Sequence, residues 1–183
     1  MRDRGKVGFF GFSGLGDAKA LHELVDSGEF HGFQCYYNLL NPSAGQPVPA
    51  TFSALDYGRI LDRAAVRNGR LRYTSVGGRC ADFGSERRRR WQRPNLVAGL
   101  GLPGGFAARG KIKAALGVDG KDLTQAAIRF GLMNEKVSTV LVGFSNLTHI
   151  DDAVACSGAP PLSDEQTAKI NTLWETDFSL SNS

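Results

Sequence analysis

The chain has 183 residues, of which 42% are hydrophobic and 22% charged, a balance that belongs to globular sequences and excludes wholesale disorder. No apolar run approaches the roughly 20 residues of a membrane-spanning helix, and the opening MRDRGKVGFFGFSG lacks the apolar length and the cleavage site of a signal peptide, so a cytoplasmic protein with no membrane partner is expected. The net charge of +4 is uneven: nine arginines from Arg67 to Arg93 against Asp82 and Glu86 give that stretch +7 and leave the remainder mildly acidic, unlike the whole-surface field of a dedicated nucleic-acid binder.

In chain order, Val7 to Phe12 is a short apolar run bounded by Gly5 and Ser13 and predicts a buried strand. Asp17 then caps a helix whose Ala20, Leu21, Leu24 and Val25 share one face, with Gly28 as its stop. Phe30 to Tyr37 is strand-like, and residues 41–52, with three prolines, predict an ordered loop. Ser53 is expected to cap a second helix whose Leu55, Ile60 and Leu61 form an apolar stripe ended by Gly69. Leu71 to Val76 is a weak strand.

Further on, Ala107 to Leu116 and Leu123 to Met133 predict helices, and Val137 to Val142 is the clearest buried strand. Ser145 or Asn146 opens a helix through about Cys156. Ser163-Asp164-Glu165-Gln166 is a capping box, followed by apolar Ala168, Ile170, Leu173 and Trp174. Strands alternating with helices predict parallel βαβ units, four in all. Cys35, Cys80 and Cys156 are odd in number and irregularly spaced, which predicts reduced thiols and no metal site.

At GKVGFFGFSGLGD, FQCYYNLLNPSAG, LTQAAIRFGLMNEKVSTVLVGFSNLTHIDDAV and PLSDEQTAKINTLWETDF, the sequence resembles the C-terminal half of an aldo-keto reductase. The resemblance covers residues 5–66 and 107–178. It implies an α/β fold, a partial (β/α)8 TIM barrel of about four C-terminal βα units, and NADP(H) as cofactor, held at the C-terminal ends of the strands. Residue by residue, Ser13 and Gly14 stand where the family has Ser-Asn on the nicotinamide carboxamide, and Gln34 where a glutamine holds the same group. A primary amide offers that carboxamide both a donor and an acceptor. Gly143, Ser145 and Asn146 match the family's turn at a helix N-terminus, where free N–H groups and the helix dipole attract the adenosine 2′-phosphate. The family often has arginine at the position of Asn146. His149 and Asp152 match residues that face the adenine.

The family's catalytic aspartate, tyrosine, lysine and histidine lie on strands two to four, which the resemblance does not reach, so no catalytic residue is assigned. Residues 67–106, rich in arginine and glycine, depart from the family and look like translation in a shifted reading frame. Gly99-Leu100-Gly101-Leu102-Pro103-Gly104 satisfies G-x-G-x-x-G but lacks a proper preceding strand and carries a proline in the turn, so it is set aside. Arg87 to Arg90 beside Trp91 suit phosphate contact and stacking; a solvated loop is the preferred reading.

Three functions follow as expectations. The favoured one is a truncated, cofactor-binding half of an NADP-dependent oxidoreductase, inactive as an isolated chain. The others are half of a split enzyme completed by a separate N-terminal chain, and a nucleic-acid binder using Arg87 to Arg90. Val7, Phe9, Phe33 and Val140 are expected to face the missing half-barrel and lose their packing partners, each worth about 1.5–3 kcal/mol, with self-association through the open edges as a rescue.

Overall fold

The computed structural model of the chain describes residues 4–67, 72–76, 105–144 and 146–180, with only the backbone described at 66–67, 72–76 and 105–106. The Arg87–Arg90 cluster, the 99–104 glycine motif and most of the segment that departs from the family lie outside them. In order come β1 (Gly11–Gly14), α1 (Ala18–Ser27), β2 (Gly32–Tyr36), α2 (Ile60–Arg67), β3 (Arg72–Val76), α3 (Gly105–Leu116) and α4 (Gly120–Met133). These are followed by β4 (Thr139–Leu141), α5 (Leu147–Val154), α6 (Asp164–Glu175) and a 3-10 turn, Asp177–Ser179.

Local chemistry accounts for the helix ends. The Asp17 carboxylate accepts from the Ala20 amide at 2.9 Å, and Gly28 takes the left-handed conformation that stops α1, its N–H donating to the Val25 carbonyl. Ser163 and Gln166 form the reciprocal capping box of α6. Asp119 caps α4. The expected start of α2 at Ser53 does not form: Gly58 and Arg59 both stand at φ 57, outside the helical region, so the helix begins at Ile60. The Ser53 hydroxyl instead donates to the Asp177 carboxylate at 3.1 Å, across the length of the chain.

The four strands form one parallel sheet in the order β1-β2-β3-β4. Leu21 and Val25 of α1 and Ile60, Leu61 and Ala64 of α2 bury themselves with Phe33 and Cys35, so one sheet face is covered. A second part of the same core gathers Tyr37, Leu39, Leu123, Phe130, Ile170, Trp174 and Phe178. Its polar tie is the Trp174 indole N–H, which donates to the Leu39 carbonyl at 2.8 Å. The loop after β2 is ordered by buried polar bonds: Asn41 donates to the Leu55 carbonyl at 2.9 Å, and the Ser43 hydroxyl to the Asn41 side chain at 2.6 Å, which satisfies groups whose burial would otherwise cost stability.

Two strand expectations are corrected. β1 occupies Gly11–Gly14, not Val7 to Phe12, and Phe9 is 80% exposed. β4 is the short Thr139–Leu141, with Thr139 and Leu141 exposed. Among the described residues both are edge strands, and an apolar run reads as buried only when something covers it. The expected orientation of Phe33 and Val140 is also corrected. Phe33 is 3% exposed in the helix-covered core, and Val140 is half-buried in the register row of Gly14 and Cys35, on the same covered face.

Candidate functional site

In a parallel sheet every strand delivers its C-terminal end to the same edge, which is where barrel and open α/β enzymes bind ligands. β1 ends there at Ser13-Gly14 and β4 is followed there by Gly143, Phe144 and Asn146.

Ser13 and Gln34 are register partners on β1 and β2, in line with Thr74 and Thr139 on the next two strands. Because side chains alternate along a strand, Phe33 and Cys35 on either side of Gln34 turn into the helix-covered core, while Ser13 and Gln34 are exposed on the opposite face. That face therefore presents a hydroxyl beside a primary amide. Gly14 is different: it is buried, in the row of Cys35, and a Cβ there would stand 2.6 Å from the Gln34 carbonyl oxygen. The structure brings Ser13 and Gln34 together and turns Gly14 away from them.

At the other end, Asn146 is the N-cap of α5, its side-chain carbonyl accepting from the His149 amide at 3.0 Å. The His149 ring nitrogen Nε2 lies 3.3 Å from the Asn146 side-chain nitrogen. The first-turn amides of Leu147 and Thr148 have no helical acceptor, which is the general condition of a helix start. Gly143 is exposed and open around its Cα; Ser145 lies outside the described residues. Asp152, one turn further along, forms an ion pair with Lys121 of α4 at 2.6 Å. Sequence reasoning did not single out Lys121. Its only local signal is a cation in the first turn of a helix, where an anion is the favoured residue.

The remaining titratable groups near the sheet belong to the core. Burial pushes the Cys35 thiol up to about 12 and the Tyr57 hydroxyl up to about 12. Burial likewise raises Tyr37, against hydrogen bonds from Asn134 and Gln46 that favour its ionised form. These are the shifts of inert buried groups and not of an activated acid or nucleophile. Among the described residues no cluster of three or more His, Cys, Asp or Glu could hold a metal ion, and no helix is long and apolar enough to cross a membrane.

The Aldo/keto reductase family model matches residues 1–175, and the chain belongs to that family. Among solved structures the chain is similar to the aldo-keto reductase AKR11C1 from Bacillus halodurans. The match to its holo form has 16% identity and a TM-score of 0.61, covering 94% of this chain and 52% of that one. The apo form matches at 17% identity and a TM-score of 0.59, covering 94% and 53%. The chain thus spans about half the length of these relatives, which share the TIM-barrel fold of the family. No curated protein sequence matches the chain. Members of the family generally use nicotinamide cofactors.

Proposed function

We propose that this chain is the nicotinamide-dinucleotide-binding portion of an aldo/keto reductase barrel, that NADP(H) is its ligand, and that the 183 residues alone do not reduce carbonyls. One observation carries the reading: Ser13 and Gln34 stand side by side on the open sheet face, at the edge that also receives the capped start of α5.

The donor set suits the group. The Gln34 amide can accept from a carboxamide NH2 and donate to its carbonyl, and the Ser13 hydroxyl adds a second partner. Three strand spacings of about 4.8 Å separate β1 from β4, about 14 Å in all, a span that an extended dinucleotide covers. At the far end the Leu147 and Thr148 amides offer donors to a phosphate, with the exposed His149 ring beside them. Asn146 supplies no charge there, so discrimination between the 2′-phosphate of NADP and the hydroxyl of NAD rests on backbone donors and the His149 ring and is modest. Gly143, with open space around its Cα, leaves the approach to α5 unobstructed, and Asp152 belongs to the adenine side through its position on the next turn.

When bound, the cofactor supplies hydride. This chain's own residues orient the carboxamide and thereby the ring face. Proton delivery to a carbonyl oxygen needs an acid within about 3 Å of it. Tyr37 and Tyr57 are buried in the helix-covered core with raised pKa values, so neither can serve. The reading of a half enzyme completed by a separate chain shares this site and differs only in where the acid comes from.

Isothermal titration of the chain with NADPH and with NADH, alongside an assay of carbonyl reduction, tests the reading. Saturable binding of both with at most about tenfold preference for NADPH, and no turnover, is expected. No binding of either nucleotide, or turnover by the chain alone, overturns it.

A further inference from the structure

We infer that the Lys121–Asp152 ion pair sets the nucleotide preference of the site, the ammonium offsetting carboxylates that would otherwise repel a 2′-phosphate. The inference rests on the proposal that the start of α5 is the phosphate end of a nicotinamide dinucleotide, and it adds to that end a residue from a different helix.

Contacts between the two helices place Lys121 there. Its Nζ lies 2.6 Å from Asp152 Oδ1, and four residues further along each segment the Cys156 thiol donates to the Gln125 carbonyl at 3.9 Å. The equal offsets mean that α4 and α5 run side by side in the same direction, so the first turn of α4 stands at the end where α5 begins. On α5, Asn146, His149 and Asp152 follow one another in steps of three residues, the spacing that shares one helix face. Six residues at a rise of about 1.5 Å put Asp152 about 9 Å from the cap, and an adenosine lying along this face runs from the cap toward the ion pair.

Exposure decides which member of the pair a ligand meets. The Lys121 side chain is 60% exposed and that of Asp152 16%, so the ammonium is the outer group. A cation in the first turn of a helix opposes the helix dipole, so α4 itself does not favour Lys121; the carboxylates do. Asp122 and Asp151, both exposed, act on the same ammonium as Asp152 does. With Lys121 present Asp152 is balanced, and the pair adds no net preference to the modest one set by the α5 start. Loss of Lys121 removes the cation these three carboxylates share, and loss of the Asp152 charge frees the ammonium for a phosphate. At about 9 Å a unit charge acting on a doubly charged phosphate changes affinity about fivefold in water at low salt.

Titration of the unmodified chain, Lys121→Gln, Asp152→Asn and the double variant with NADPH and with NADH at low ionic strength tests this through the ratio of the two Kd values. The preference for NADPH is expected to fall about threefold to fivefold in Lys121→Gln and to rise by a similar factor in Asp152→Asn. In the double variant it returns to the value of the unmodified chain, because the charge is balanced again. Lys121→Arg keeps that value as well. At a salt concentration near 1 M, where the screening length is about 3 Å, both shifts vanish. A pair that only tied α4 to α5 would change both nucleotides alike, so an unmoved ratio, or shifts of the same sign in the two single variants, overturns the inference. Exposed ion pairs contribute little stability; should Lys121→Gln nevertheless not fold, Asp152→Asn decides alone, since damage to the fold does not produce a selective gain for NADPH. Binding of neither nucleotide by the unmodified chain overturns the dinucleotide proposal and this inference with it, whereas binding of both with an unmoved ratio overturns this inference alone.

Discussion

Gln34 stands directly beside Ser13 across the β1–β2 pair, and both residues are exposed on the sheet face that no described helix covers. Phe33 and Cys35, its sequence neighbours, are 3% and 1% exposed on the other face. The strand's period of two therefore separates cofactor chemistry from core, and each residue can be changed with little effect on the other role.

Gln34→Ala and Ser13→Ala are accordingly expected to leave the thermal midpoint nearly unchanged and to weaken NADPH binding. Each removes hydrogen bonds worth about 0.5–1.5 kcal/mol, so a rise in Kd of about threefold to tenfold per substitution is expected by titration. Unchanged affinity in both variants would place the carboxamide elsewhere.

Asn146 has two separable roles. Asn146→Ala removes the α5 cap and is expected to lower stability by about 1 kcal/mol, read in urea. Asn146→Arg loses the same cap but adds a cation at the phosphate end, so its NADPH affinity rises while its NADH affinity does not. Equal gains for both nucleotides would mean that no 2′-phosphate binds there.

The sequence resemblance sets Gly14 against an asparagine of the family, yet a Cβ at this position would lie 2.6 Å from the Gln34 carbonyl oxygen. Backbone, not a flexible side-chain end, must give way. Gly14→Asn is therefore expected to destabilise the chain by about 1–3 kcal/mol, the usual cost of overpacking, and not to restore carboxamide contact. A variant that binds NADPH more tightly at unchanged stability would contradict this geometry.

The Asp62 carboxylate is partly buried, which raises its pKa, but hydrogen bonds and ion pairs from Lys136 and Arg59 outweigh burial and leave it lowered overall. A lowered folded-state pKa contributes stability above the unfolded value and loses it as pH falls through the folded one. Relative to Asp62→Asn, the protein is expected to be more stable by about 1 kcal/mol near neutral pH, after allowance for solvent screening. The gap closes at acid pH. Urea melts of both proteins across this range check it; a gap independent of pH would exclude the ion pairs as its source.

Caps were the most legible feature in the sequence. Asp17, Gly28 and the Ser163–Gln166 box all stand as their residue types predict, because a cap is a local event within four residues. The alternation of strands with helices likewise anticipated parallel βαβ units, of which β1-α1-β2, with Ser13 beside Gln34, is one. What the sequence hid depended on distant parts of the chain. Ser53 looked like a cap, but its partner is Asp177. Val7 to Phe12 and Val137 to Val142 have the composition of buried strands, and composition does not reveal that the strands formed there are the outer two of the described sheet. The expected strand stopped at Phe12, so the alternation that turns Gly14 away from Ser13 was out of view, and spacing does not show that Asp152 finds Lys121 on another helix.

The central claim is that the open sheet face and the start of α5 together hold a nicotinamide dinucleotide, and a thermal melt with and without excess NADPH tests it most directly. A ligand that binds only the native state stabilises it by about 2.7 kcal/mol at a hundredfold excess over Kd. A single cooperative transition that moves upward with NADPH, and moves less in Gln34→Ala, is the predicted result. A cooperative transition that NADPH leaves in place would contradict the account.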